Sequence, residues 1–127
     1  MLFRSKATIL FTGSVGKLAI EARNQLLAHG IDVAIASMPF ITSIDAQYLS
    51  KIAKKGPIVT VEEHSNRGGL YGSVLETLSS LRIIARVGCV ASKQLNLSLV
   101  GDESYLRENN GISTSNIVNE IIALLEA

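Results

Sequence analysis

Ala7-Thr8-Ile9-Leu10-Phe11-Thr12, followed at once by Gly13-Ser14-Val15-Gly16 and then by Ala19, Ala22 and Leu26, is the stretch that decides the fold. A short apolar run rich in β-branched and aromatic side chains has the composition of a strand buried on both faces, and Gly13-Ser14 ends it. Beyond the turn, Val15, Ala19, Ala22 and Leu26 recur at helical spacing, while Lys17, Glu21, Arg23 and Gln25 fall elsewhere on the wheel. The spacing predicts one amphipathic helix. Gly30 closes it, because glycine reaches the left-handed conformation freely, and His29 faces the negative end of the helix dipole.

Outward from this unit the pattern recurs. A strand is expected over Asp32 to Met38, a loop from Pro39, and a helix from Ile44 to Lys54 with Ser43 as its cap and Gly56-Pro57 as its stop. A third strand, Ile58 to Glu62, leads through the loop Glu63 to Gly69 into a helix from Leu70 to Ser80 with Leu70, Val74 and Leu78 on one face. A fourth strand is expected over Arg82 to Val87, and Gly88 to Gly101 reads as a loop with extended backbone at Asn96 to Val100. In the last helix Ser113 is the cap, Ile112 and Ile117 stand at the spacing of a hydrophobic staple, and Ile117, Ile121 and Leu124 share a face. Strands alternating with helices at these intervals imply right-handed βαβ crossovers, a mostly parallel sheet and helices on both of its faces.

Composition bounds the function. The 127 residues are 47% hydrophobic and 18% charged, the proportions of a folding chain, and one domain spanning 1–127 is expected. A formal net charge of +1, with basic residues that gather into no stripe, argues against a nucleic-acid partner. No apolar run approaches a bilayer's thickness and Met1 to Lys6 lacks the core of a secretion signal, so no membrane partner and a cytoplasmic location are expected. The single cysteine, Cys89, has no Cys or His neighbour at metal-ligand spacing and reads as a small core or near-core residue.

Two stretches carry polar groups at strand ends. Gly13-Ser14-Val15-Gly16 lacks the third glycine of a dinucleotide fingerprint and the Lys-Ser/Thr ending of a phosphate loop, so it reads as a structural turn with Ser14 capping the helix. Val61-Glu62-Glu63-His64-Ser65-Asn66-Arg67-Gly68-Gly69 lies at the carboxyl end of a parallel strand, the edge where open α/β sheets place ligands. General acid-base work by Glu63 and His64, with Arg67 and the Gly68-Gly69 helix start holding a phosphate, is one reading. No serine, cysteine or lysine nucleophile stands beside them and no metal-binding spacing fits. The preferred reading is a polar loop of Glu62, Glu63, His64, Arg67, Gly68 and Gly69 that contacts another domain, with no catalytic, cofactor-binding or metal-binding residue in this chain. Asp102, Glu103 and Glu108 read as the solvated face of a short helix.

Thr8-Ile9-Leu10-Phe11-Thr12-Gly13-Ser14, the helix closing at Gly30, the strand Val33 to Met38, and above all Val59-Thr60-Val61-Glu62-Glu63-His64 with Gly68-Gly69-Leu70 and Gly72-Ser73 resemble the C-terminal domain of transketolases. The resemblance runs from Ala7 to Leu125. It extends, less closely, to the C-terminal domains of 1-deoxyxylulose-5-phosphate synthase and of the pyruvate dehydrogenase beta subunit. It implies a three-layer αβα domain around a mixed, mostly parallel sheet of about five strands. It also implies a dimeric parent enzyme that transfers two-carbon ketol units between sugar phosphates. Thiamine diphosphate and magnesium would then lie between separate thiamine-binding and pyrimidine-binding domains, and this chain would be a non-catalytic assembly domain. Those domains are not encoded in this sequence, and an extra edge strand would be at most partly present in Met1 to Ser5. After the fourth strand many relatives carry Asp-x-Phe and a Ser-Gly turn, where this chain has Val90-Ala91-Ser92-Lys93-Gln94-Leu95. A partner-binding module of a 2-oxo acid dehydrogenase beta subunit or of a 1-deoxyxylulose-5-phosphate synthase-like enzyme therefore stays open beside the transketolase reading.

Overall fold

Ile9 and Leu10 are neighbours in one strand, both are fully buried, and they belong to different cores. Successive side chains of a strand point to opposite faces, so this pair marks a sheet covered on both sides. The computed structural model describes residues 5–38, 45–65, 69–92 and 112–126, and the elements among them run β1 (Ala7–Phe11), α1 (Gly16–Ala28), β2 (Val33–Ser37), α2 (Ala46–Lys55), β3 (Ile58–Ser65), α3 (Leu70–Ser80), β4 (Val87–Ser92) and α4 (Thr114–Glu126). The four described strands lie in the order β2-β1-β3-β4, and each pairing is parallel. Ile9 stands opposite Ile35 on one side and Val59 on the other.

One core joins Ile9, Val59 and Val61 to Ala19, Ala22 and Leu26 of α1 and Ile117 and Ile121 of α4. The other joins Leu10 and Ile58 to Leu49 and Ile52 of α2 and Leu70, Val74 and Leu78 of α3. The architecture is thus three layers, αβα, and the apolar faces expected of α1, α3 and α4 are the faces that are buried. At the end of α1 the Gly30 N–H donates to the Leu27 carbonyl and the Ile31 N–H to that of Leu26, with Gly30 at φ +79°. That pair of bonds is the closure anticipated from the sequence, and it needs the left-handed backbone that glycine adopts without strain. At the start of α4 the Ser113 hydroxyl accepts from the Asn116 N–H at 3.1 Å, and Ile112 and Ile117 are both buried, as a cap with a hydrophobic staple requires.

Three boundaries differ from expectation. The cap of α2 is Asp45, whose carboxylate accepts from the N–H groups of Gln47 and Tyr48. Ser43, expected in that role, lies outside the described residues, as do Asn96 to Val100 and Asp102, Glu103 and Glu108. β3 does not stop at Glu62 but continues to Ser65, with an irregular register against β4 between Val61 and Ser65. β4 occupies Val87 to Ser92 rather than Arg82 to Val87. Its small residues show weak periodicity and little strand propensity, yet a close helix requires them. A side chain on Gly88 would meet Glu120 and Leu124 of α4. Residues 82–86 instead form the turn out of α3 and the approach to the sheet.

The chain runs from β1 outward to β2 and then returns across β1 to β3, so the direction of winding reverses between β1 and β3. Open α/β sheets place their sites at such a reversal, beyond the carboxyl ends of the strands. The residues after Phe11 and after Val61 therefore face each other there, and the Thr12 N–H donates to the Val61 carbonyl at 3.2 Å.

Candidate functional site

Glu62 is the one acidic side chain among the fully buried residues described. Its Oε1 accepts from the Leu70 N–H at 2.8 Å and its Oε2 from the Tyr71 N–H at 2.9 Å. The first turn of a helix has N–H groups without partners and the positive end of the dipole, so a carboxylate there is held by both. The N-cap position of α3 is Gly69, which has no side chain to cap with, and the cap comes from a residue seven positions earlier in the chain. The backbone of Gly69 approaches so closely that a β-carbon on it would overlap the Glu62 carboxylate. The two residues lock the ends of the segment 63–68 together.

This corrects one part of the sequence reading. Glu62 was expected on an exposed polar loop, and it is inside, because β3 runs on past it and turns its side chain beneath α3. The correction removes a chemical option as well. An anion at the start of α3 would need the same N–H groups that the Glu62 carboxylate already occupies, so a phosphate held at the Gly68-Gly69 helix start does not fit. Glu63 is half-buried, the backbone of His64 continues β3, and Gly69 is buried. Arg67 and Gly68 lie outside the described residues.

Across the reversal point, Gly13–Val15 forms one 3-10 turn with Gly13 at φ +68°, and Val15 beneath it is fully buried. The N-cap position of α1 is Val15, whose side chain makes no capping bond, and the side chain of Ser14, expected to cap, lies outside what the structure describes. On β4, Cys89 is partly buried and stands opposite Thr60 of β3. Burial pushes its thiol up to about 11; a hydrogen bond with Thr60 acts the other way, and the charges of Glu62 and Glu120 add to the rise. Such a thiol is a poor nucleophile near neutral pH. Among the described residues no three His, Cys, Asp or Glu side chains converge. Also among the described residues, no helix is long and apolar enough to cross a membrane.

The sequence pattern missed Glu62 as a cap. The available signal was a glycine at the N-cap position with no capping side chain of its own, beside a carboxylate at the end of the preceding strand.

A parallel sheet wound in two directions from its centre, covered by helices on both faces and carrying a self-capped polar segment at its carboxyl edge, places this molecule among open α/β modules. Residues 4–105 match the family model described as "Transketolase, C-terminal domain", and the chain belongs to that family. It is 32% identical over 127 residues to 1-deoxy-D-xylulose-5-phosphate synthase of Heliobacterium modesticaldum, covering 97% of this chain and 19% of that protein. It is 34% identical over 124 residues to the same-named enzyme of Listeria monocytogenes, covering 94% and 20%. Among solved structures it is similar to a split-gene transketolase in an inactive beta4 tetramer, with a TM-score of 0.87, 29% identity and coverage of 98% of this chain and 40% of that one. The transketolase of Campylobacter jejuni superposes with a TM-score of 0.67 at 26% identity, covering 96% and 17%. The chain therefore spans about a fifth of the length of these curated relatives.

Proposed function

We propose that this chain, as a single domain, is the non-catalytic C-terminal assembly domain of a transketolase-like enzyme that transfers two-carbon ketol units between sugar phosphates. In this reading thiamine-binding and pyrimidine-binding domains, in the same or a separate polypeptide, hold thiamine diphosphate and magnesium, and the parent is a cytoplasmic homodimer. The observation that carries it is the Glu62–Gly69 lock, within a chain of this family. It ties together the two ends of the segment that contains Glu63, His64 and Arg67, and the one fully buried carboxylate among the described residues serves structure rather than chemistry. The role of that segment is to contact the neighbouring domain and set its position. A 1-deoxyxylulose-5-phosphate synthase-like parent is the second reading, favoured by the curated relatives of that name.

The test is reconstitution with the polypeptide carrying the two missing domains, followed by sedimentation and turnover assays with sugar phosphates, and with pyruvate plus glyceraldehyde 3-phosphate for the second reading. His64→Ala or Arg67→Ala should weaken assembly or lower activity in step with it. Loss of turnover in His64→Ala with assembly and cofactor affinity intact would transfer the segment to the chemistry.

A further inference from the structure

At the opposite end of the strands, Ile84 stands wholly in solvent, with a relative exposure of 101%. It lies in the turn from α3 to β4, between Ile83 and Ala85, which both pack inward against the core under α2 and α3. The turn is closed as α1 is closed: the Arg82 N–H donates to the Ser79 carbonyl and the Ile83 N–H to that of Leu78. Here the left-handed position holds Arg82, at φ +58°, rather than glycine. Among the described residues it is the one non-glycine with positive φ, and strain of that kind is kept where surrounding structure or function requires the side chain.

Ile84 borders a cleft of about 400 Å³ whose other walls are Ala53, Gly56, Pro57, Ala85 and Arg86. Among the described residues, basic side chains gather around this apolar floor on the α2–α3 side. Lys54 and Lys55 are exposed at the end of α2, between two of the lining residues, and Arg82 and Arg86 are exposed on the turn. Arg86 donates to the Leu124 carbonyl at 2.9 Å, which fixes its place at the rim. Cations at helix ends suit the dipole, but the dipole calls for no exposed isoleucine among them.

We propose that this end of the domain is a docking surface for an acidic protein segment with an apolar anchor, the anchor seated beside Ile84 and its carboxylates facing Lys54, Lys55, Arg82 and Arg86. Apolar anchors in a charged rim are the usual form of a protein contact. Charge complementarity selects the occupant. A second copy of this chain meeting the surface by two-fold symmetry would set cations against cations. A polyphosphate would satisfy the cations and leave Ile84 and the cleft without a partner. The surface lies away from the carboxyl edge, so it is distinct from the contact proposed for the Glu63–Arg67 segment.

The test pans a random-peptide phage library on the immobilised 127-residue chain, with the Ile84→Asp variant as counter-selection, and then titrates the synthesised selected peptide. The expected result is enrichment of net-negative peptides with an aromatic or aliphatic residue. Their Kd should rise by about tenfold or more in Ile84→Asp and, independently, in the Lys54→Glu/Lys55→Glu double variant. All three positions are exposed, and melting curves confirm that each variant is folded. No enrichment over the counter-selection, selected peptides without negative charge, or a Kd unchanged in both variants would overturn the proposal. So would inorganic polyphosphate or phosphatidylserine vesicles binding with the same dependence on Ile84, or self-association of the chain that Ile84→Asp abolishes in sedimentation.

Discussion

The carboxylate of Glu62 occupies the space that a side chain on Gly69 would need. The two residues are therefore one structural unit, although Gly69 has an ordinary φ of −99° that any residue adopts. Its φ makes no demand for glycine, and the close approach of the Glu62 carboxylate does.

Glu62→Ala should destabilise the domain by about 2–4 kcal/mol, through loss of two charge-assisted hydrogen bonds and exposure of unpaired N–H groups at the start of α3. Gly69→Ala in the native background should cost about 1–3 kcal/mol from overpacking. With Glu62→Ala already present it should cost much less. Chemical denaturation of the four members of this cycle measures the coupling, and strict additivity would show that the two residues do not act together.

Ile117→Ala and Ile121→Ala each remove a fully buried side chain from the face of α4 that packs on α1 and the sheet. Each should cost about 2–5 kcal/mol in equilibrium unfolding. A loss below about 0.5 kcal/mol for both, the range of surface changes, would mean that α4 is not docked.

Arg82→Gly should stabilise the isolated domain by about 0.5–1 kcal/mol, because it relieves a left-handed arginine at the end of α3. Gly30→Ala, at the matching position of α1, should destabilise by about 1 kcal/mol. The opposite signs are the diagnostic feature, read from the midpoints of urea unfolding at constant m-value.

Cys89 should alkylate slowly at pH 8 and reach half its maximal rate near pH 11, where its thiol titrates, instead of near the ordinary 9.0. The linkage has a definite sign. Between these two values the folded state binds more protons at Cys89 than the unfolded state, so its contribution to stability falls as pH rises from about 9 to 11. Iodoacetamide kinetics across that range, with Cys89→Ser as the control for other alkaline titrations in unfolding, check both statements.

The elements legible in the sequence were those whose signals are local. β1, α1, α3 and α4 follow from hydrophobic period, the Gly30 closure and the Ser113 cap with Ile112 and Ile117, all of which act within a few residues of themselves. The carboxyl edge of β3 was legible too, as the place where polar residues gather after a parallel strand. β4 was not, because Gly88, Cys89 and Ala91 have little strand preference of their own. Pairing with β3 on one side and the close approach of α4 make them a strand.

The sequence by itself determined an αβα layering and the family of this chain, since period and motif are carried by residues near one another along the backbone. Only the tertiary structure decided what Glu62 does. A carboxylate read in sequence belongs in water, and it can be buried only where unpaired N–H groups meet it. Those groups, on Leu70 and Tyr71, come within 2.9 Å because the chain turns back after β3 and aims the start of α3 at the strand it has just left.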